Sequence, residues 1–192
     1  MPWWSWRPGQ SGGGEPERQG GIQERVVRVG LPAPRQPEPA PSDRSTVDSL
    51  GATVARVTLD RVGQALDLLD VRYLADGDGN LLAMWERHAV LFALDGGPKD
   101  EILLLRARPY STVPPDWADR AYRVVNEWNH TGRFCKAYVG DPTERGQLPI
   151  YAEVEVPLGA GVHDALLVEL LDRGAAHASK FVDWLHDEGA LL

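Results

Sequence analysis

From about residue 58 onward, two hydrophobic periods alternate along the chain. In TLDRVGQALDLLD, Leu59, Val62, Leu66 and Leu69 recur at helical spacing behind Thr58, a suitable N-cap, so an amphipathic helix is predicted. The segments VRYLAD, LLAMWE, AVLFALD and EILLLRAR follow, rich in strand formers and separated by GDGN, RH and GGPK. Those separators are turn signals of hairpin length and predict an antiparallel meander. PPDWADRAYRVVNEWNH returns to helical spacing, with Trp117, Ala121, Val124, Val125 and Trp128 on one stripe and acidic residues in the first turn. FCKAYVG and LPIYAEVEVPL resume strand alternation, with Ile150, Ala152, Val154 and Val156 set against Tyr151, Glu153 and Glu155. The C-terminal stretch is helical again: Leu166, Leu167, Leu170, Leu171, Ala178, Phe181, Val182 and Leu185 form its core face, and Gly174 is a candidate kink. The order α-β-β-β-β-α-β-β-α predicts an α+β domain whose antiparallel sheet of about five to six strands carries its helices on one face.

Residues 1–50 break the pattern. They hold eight of the fifteen prolines and seven of the twenty glycines and no sustained apolar period, so a disordered tail is expected there and the folded domain over 51–192. Within the tail, Trp3, Trp4 and Trp6 resemble a short docking motif, although an unstructured start is the simpler reading. Arg7, Arg18, Arg25, Arg28, Arg35 and Arg44 balance Glu15, Glu17, Glu24, Glu38, Asp43 and Asp48, which assigns the net charge of −8 to the domain. A surface that acidic disfavours nucleic acid and anionic lipid. The single Cys135 excludes an internal disulfide and fits a reducing compartment. No apolar run approaches the roughly 20 residues of a membrane-spanning helix, and the start lacks a secretory h-region. A soluble cytoplasmic protein is expected.

VVNEWNHTGRFCKAYVG places a glutamate, a histidine and a cysteine close together. Glu127 and His130 have the E-x-x-H spacing of di-iron bundles, but at 100° per residue His130 points away from the apolar stripe and no second such motif follows. His130, Thr131 and Gly132 instead fit a helix end, with a cation near the negative terminus and a glycine able to take positive φ. Cys135 has no histidine and orienting partner of its own and is expected to be a small, partly buried residue at a strand start. Asp76, Asp78 and Asn80 imitate a calcium loop, yet Leu81 and Arg87 stand where such a loop needs glycine and glutamate. Gly96 and Gly97 lack the ending of a phosphate loop, and Ser111, Thr112 and Ser179 lack a nucleophile-elbow context. No metal, cofactor or catalytic set is expected.

Arg106, Arg108, Arg120, Arg123, Arg133 and Lys136 gather in the central strand-helix-strand portion, a candidate patch for an anion or an acidic peptide. The competing account, a solvated helix face on which cations pair with Asp116, Asp119 and Glu127, is preferred because surface ion pairs are common and weak. Trp85, Tyr110 and Tyr151 offer an aromatic contact surface, although core packing is the expected fate of each.

The element order from about Thr58, with VNEWNHTGRFCKAYV, YAEVEVPLGAGVHDALL and FVDWLHDEG, resembles the YbjN domain family in its actinobacterial form. The N-x-W-N helix end is present as Asn126, Trp128 and Asn129, while Cys135 and Lys136 replace the proline-lysine pair with which the next strand usually begins. The resemblance implies a fold like that of type III secretion chaperones and a regulator of sensory transduction; fold alone transfers no secretion role. The expected function is a non-enzymatic, cytoplasmic protein-binding module of chaperone-like or regulatory type, with an unknown protein partner or a second copy in a homodimer. The alternative is a small-ligand sensor that uses the concave sheet face as its pocket.

Overall fold

Thr58 begins the first element as expected: its extended backbone (φ −139°, ψ 156°) lets the side chain accept the Arg61 N–H at 3.3 Å. Helix α1 (Leu59–Leu68) turns Val62, Gly63, Ala65 and Leu66 inward. The strands that follow are β1 (Tyr73–Ala75), β2 (Leu81–Met84), β3 (His88–Asp95) and β4 (Ile102–Pro109). A short 3-10 turn at Pro115–Trp117 leads into α2 (Ala118–Thr131), then β5 (Lys136–Val139), β6 (Ile150–Pro157) and α3 (Asp164–His186). These elements come from a computed structural model that describes residues 53–96, 102–132, 134–189 and 191–192. The expected tail, the GGPK turn beyond Gly96 and Arg133 lie outside the described residues.

The strands form one antiparallel sheet in the order β1-β2-β3-β4-β6-β5. The meander continues through β4; β6 then inserts beside β4 and pushes β5 to the rim. One sheet face carries Leu81, Ala83, Val90, Phe92, Leu103, Leu105, Ala107, Ala137, Ile150, Ala152 and Val154, all in one apolar core with residues from the three helices. Alternation of side chains across each strand sends Leu82, Ala89, Leu91, Ala93 and Leu104 to the other face.

Three local expectations need correction. The β2–β3 turn is Glu86–Arg87, because Trp85 N–H already bonds His88 O at 2.8 Å and His88 opens β3. Helix α3 runs unbroken through Gly174, which is buried against the sheet where a Cβ would overlap the Leu105 methyl group; close approach, not a kink, requires glycine. Gly132 follows α2 in extended conformation (φ −85°, ψ 146°) rather than at positive φ. A Cβ there would sit 3.0 Å from Trp128 O and 3.2 Å from its indole ring, so glycine again serves proximity.

Arg61 fastens the start of α1 to the start of α3. Its guanidinium donates to Ala55 O and Arg56 O, both at 2.7 Å, to Val162 O at 2.8 Å and to the Asp164 carboxylate.

Candidate functional site

The NEWN stretch is resolved first by burial. Trp128 is 6% exposed and meets Phe181 edge-on (centroids 5.0 Å apart) and Trp184 at 5.4 Å, locking α2 onto α3. Its indole N–H makes no hydrogen bond of ordinary geometry. It lies by the Cys135 thiol, whose pKa burial pushes up and this N–H partly restores. Asn129 reaches β5: Nδ2 donates to Ala137 O at 2.8 Å, and Ala137 N–H donates to Oδ1 at 2.7 Å. The amide thus pairs with the outer backbone groups of a rim strand, not with the helix end. Asn126, Glu127 and His130 are exposed on α2.

Asp76 explains the calcium-like loop. One carboxylate oxygen accepts from Asp78 N–H at 2.9 Å and Asn80 N–H at 2.8 Å, the other from Asn80 Nδ2 at 3.0 Å. Gly79 at φ 84° completes a polar hairpin turn.

Sheet register divides the proposed cation patch. Arg106, Arg108 and Lys136 project from the face opposite the helices, whereas Arg120 and Arg123 belong to α2, where Arg120 lies over the Trp117 ring at 4.9 Å. Arg106 is only 6% exposed, and its ion partner is Glu153 of β6 rather than a helix acid. Glu153 also accepts the Tyr138 hydroxyl at 2.7 Å. Tyr138 and Tyr151 stack at 5.3 Å, and the Arg106 guanidinium lies 5.9 Å from the Tyr151 ring centre. Burial, reinforced by the bond to Glu153, holds the Tyr138 hydroxyl far above its ordinary pKa. Burial also raises Tyr151, opposed by Arg108 and Arg106. Both rings are neutral across the physiological range and act as contact surfaces and hydrogen-bond donors.

Read across the strands, paired residues form a row on this helix-free face: Leu74, Leu82, Leu91, then Arg106, Glu153, Lys136. A neighbouring row runs Met84, Ala89, Arg108. The face is apolar over β1–β3 and charged and aromatic over β4–β6. At the apolar rim Leu74 and Met84 are 55% and 61% exposed. Of the aromatic residues expected in the core, Trp85 packs at its margin, Tyr110 is exposed, and Tyr151 stands on the helix-free face. No local pattern signals this arrangement, because the order β4-β6-β5 is what places Glu153 between Arg106 and Lys136.

A second polar group sits beneath α3. His88 is 4% exposed, stacked on Trp85 at 5.3 Å and 3.4 Å from Ser179 Oγ. Burial lowers its pKa to about 4 against the opposing pull of Asp183. Asp183 lies 3.7 Å from Arg87, and the pair is exposed. A buried neutral imidazole held by aromatic stacking is a packing element here. The space between the sheet and α3, lined by Val90, Leu105, Cys135 and Gly174, has a volume of about 10 Å³, room for one water.

Residues 58–187 match the family model YbjN, described as "Putative bacterial sensory transduction regulator". The chain belongs to the YbjN family. Among solved structures, a YbjN relative from E. coli, described as "a putative transcription regulator", superposes with a TM-score of 0.62 at 16% identity, over 73% of this chain and 99% of that one. At that identity the likeness to the E. coli YbjN shows the fold, and it agrees with the antiparallel α+β architecture described above. No curated protein sequence matches the chain. Among the described residues of this YbjN member, no helix is long and apolar enough to cross a membrane.

Proposed function

We propose that this YbjN protein is a non-enzymatic, cytoplasmic regulatory module that binds a protein partner through the helix-free face of its sheet. The observation that carries this reading is the composition of that face. Leucine and methionine side chains on β1–β3 adjoin arginine and tyrosine on β4–β6, the mixture of apolar area, aromatic rings and arginine that interface centres favour. The description of the family as a regulator supports the same reading. The role in transcription named for the E. coli relative is not carried over, since 16% identity conveys fold alone and the domain is acidic. The partner's contact zone should match the face, an apolar strip bordered by charge, in a second protein or a second copy.

Photo-crosslinking in the native host tests this. A crosslinker at Met84, on the helix-free face, should yield a defined protein adduct; one at Tyr122, also exposed, on α2 at 51%, should not. Adducts from Tyr122 alone, or from neither site, would reject the proposal.

A further inference from the structure

The chain has three Asp–Gly steps, at 76–77, 78–79 and 95–96. Glycine has no side chain to shield its nitrogen, so at such a step the main-chain amide can reach the preceding carboxyl carbon and close a five-membered imide. The fold treats the three steps differently. Asp76 commits both carboxylate oxygens to its own turn, accepting from Asp78 N–H at 2.9 Å, Asn80 N–H at 2.8 Å and Asn80 Nδ2 at 3.0 Å. Asp78 is exposed, but the Gly79 N–H is directed elsewhere and donates to Asp76 O at 3.0 Å. At the end of β3, by contrast, the Gly96 N–H donates to Asp95 Oδ1 at 2.7 Å. Both residues are exposed, and Gly96 sits at φ 107°, a conformation that side-chain-bearing residues rarely adopt.

We propose that Asp95 is a modification site, isomerised to isoaspartate through a succinimide closed by the Gly96 nitrogen, with water as the only co-reactant. With Oδ1 at 2.7 Å, the carboxyl carbon lies within about 4 Å of that nitrogen. Holding reactants this close removes most of the entropy cost of bringing them together. The hydrogen bond also aims the proton that must leave. With the carboxyl in its protonated form, the bond from Gly96 N to Asp95 Cγ forms as the N–H proton passes to Oδ1, and the tetrahedral centre then loses one oxygen and two protons as water. Water next adds to the main-chain carbonyl carbon of Asp95 and the bond from that carbon to Gly96 N breaks, its proton going to nitrogen. The chain now runs through Cγ, and the former main-chain carbon carries the free carboxylate, so mass is unchanged and no redox partner is needed. The extra carbon enters the main chain where Asp95 makes the last β3–β4 pair, with Ile102. Asp95 shares the strand alternation of Leu91 and Ala93, so the change falls at the border of the helix-free face, but its chemistry does not depend on a partner there.

Prolonged incubation of the full chain in water enriched in heavy oxygen tests this, with isoaspartate located by fragmentation of the digested peptides. Asp76 and Asp78 serve as internal controls, since each also precedes glycine. In the folded protein, isoaspartate at 95 should form about tenfold or more faster than at 76 or 78, a ratio set by the placement of the nitrogen. Each isomerised residue at 95 should carry one heavy oxygen, the mark of a hydrolysed imide. In concentrated urea the placement is lost, and the three rates should come within about threefold of one another. Equal rates at the three steps in the folded chain would overturn the proposal. A preference for 95 that persists undiminished in urea would also overturn it, because it would assign the effect to neighbouring sequence rather than to the fold. Isomerisation at 95 without heavy oxygen would reject the succinimide route.

Discussion

The two faces of the sheet are built from the same alternating strands and meet different fates. On one, Phe92, Leu103 and Leu105 disappear beneath α1 and α3, glycine at 174 lets the helix come close, and a buried polar group near α3, His88, is kept neutral. On the other, the leucine strip runs into Arg106, Glu153 and Tyr138, which bond one another. The first face specifies the fold by packing density; the second keeps charged and aromatic groups that packing alone does not require. Substitutions on the first should therefore register in stability, and substitutions at the open rim of the second should register in binding.

The largest effect is expected at Trp128. Trp128→Ala removes the ring that joins α2 to Phe181 and Trp184 and should cost about 3–5 kcal/mol in denaturant unfolding, with Trp128→Phe clearly milder. A loss under about 1 kcal/mol would mean that α2 is held mainly by other contacts.

Acid should act through the same core. The folded pKa of His88, about 4, lies below its ordinary 6.5. Between those values the unfolded chain takes up a proton that the folded chain refuses, so stability is full above pH 6.5 and falls as pH drops toward 4. The loss from this residue approaches about 3 kcal/mol. Subtracting the pH profile of His88→Gln isolates it, and identical profiles would show that His88 is not buried neutral.

Asn129→Ala should cost about 1–3 kcal/mol by leaving the Ala137 N–H and C=O without their side-chain partners. Amide exchange at Ala137 should accelerate more than at Tyr151, within the next strand. Replacing His130, exposed on α2, should change stability by less than about 0.5 kcal/mol.

These cases also show what the sequence could convey. Period-two alternation in IYAEVEV placed β6 and its two faces correctly, and the Trp128 stripe located α2, because both signals are local and repeat along the chain. Asn129 was legible only as part of an N-x-W-N helix end; that its amide pairs with Ala137, eight residues on, depends on how α2 lies along β5. Gly132 and Gly174 carried a conformational expectation, but their function is to admit Trp128 and Leu105, which are tertiary neighbours. The cation patch failed as one unit for a topological reason. Residues 106, 108 and 136 converge through strand order, and residues 120 and 123 leave on a helix. Arg61 gave no signal at all, since its backbone acceptors come from both sides of a hundred-residue loop.

The most direct measurement pairs stability with complex formation in one full-length variant carrying Leu74→Glu and Met84→Glu, the open rim of the helix-free face. Both side chains are more than half exposed. The account predicts a change in unfolding free energy of less than about 1 kcal/mol together with loss of the complex that the unaltered protein forms in its native host, read by the size at which the protein elutes from native-host extract. A variant that folds normally and retains that complex undiminished would contradict it.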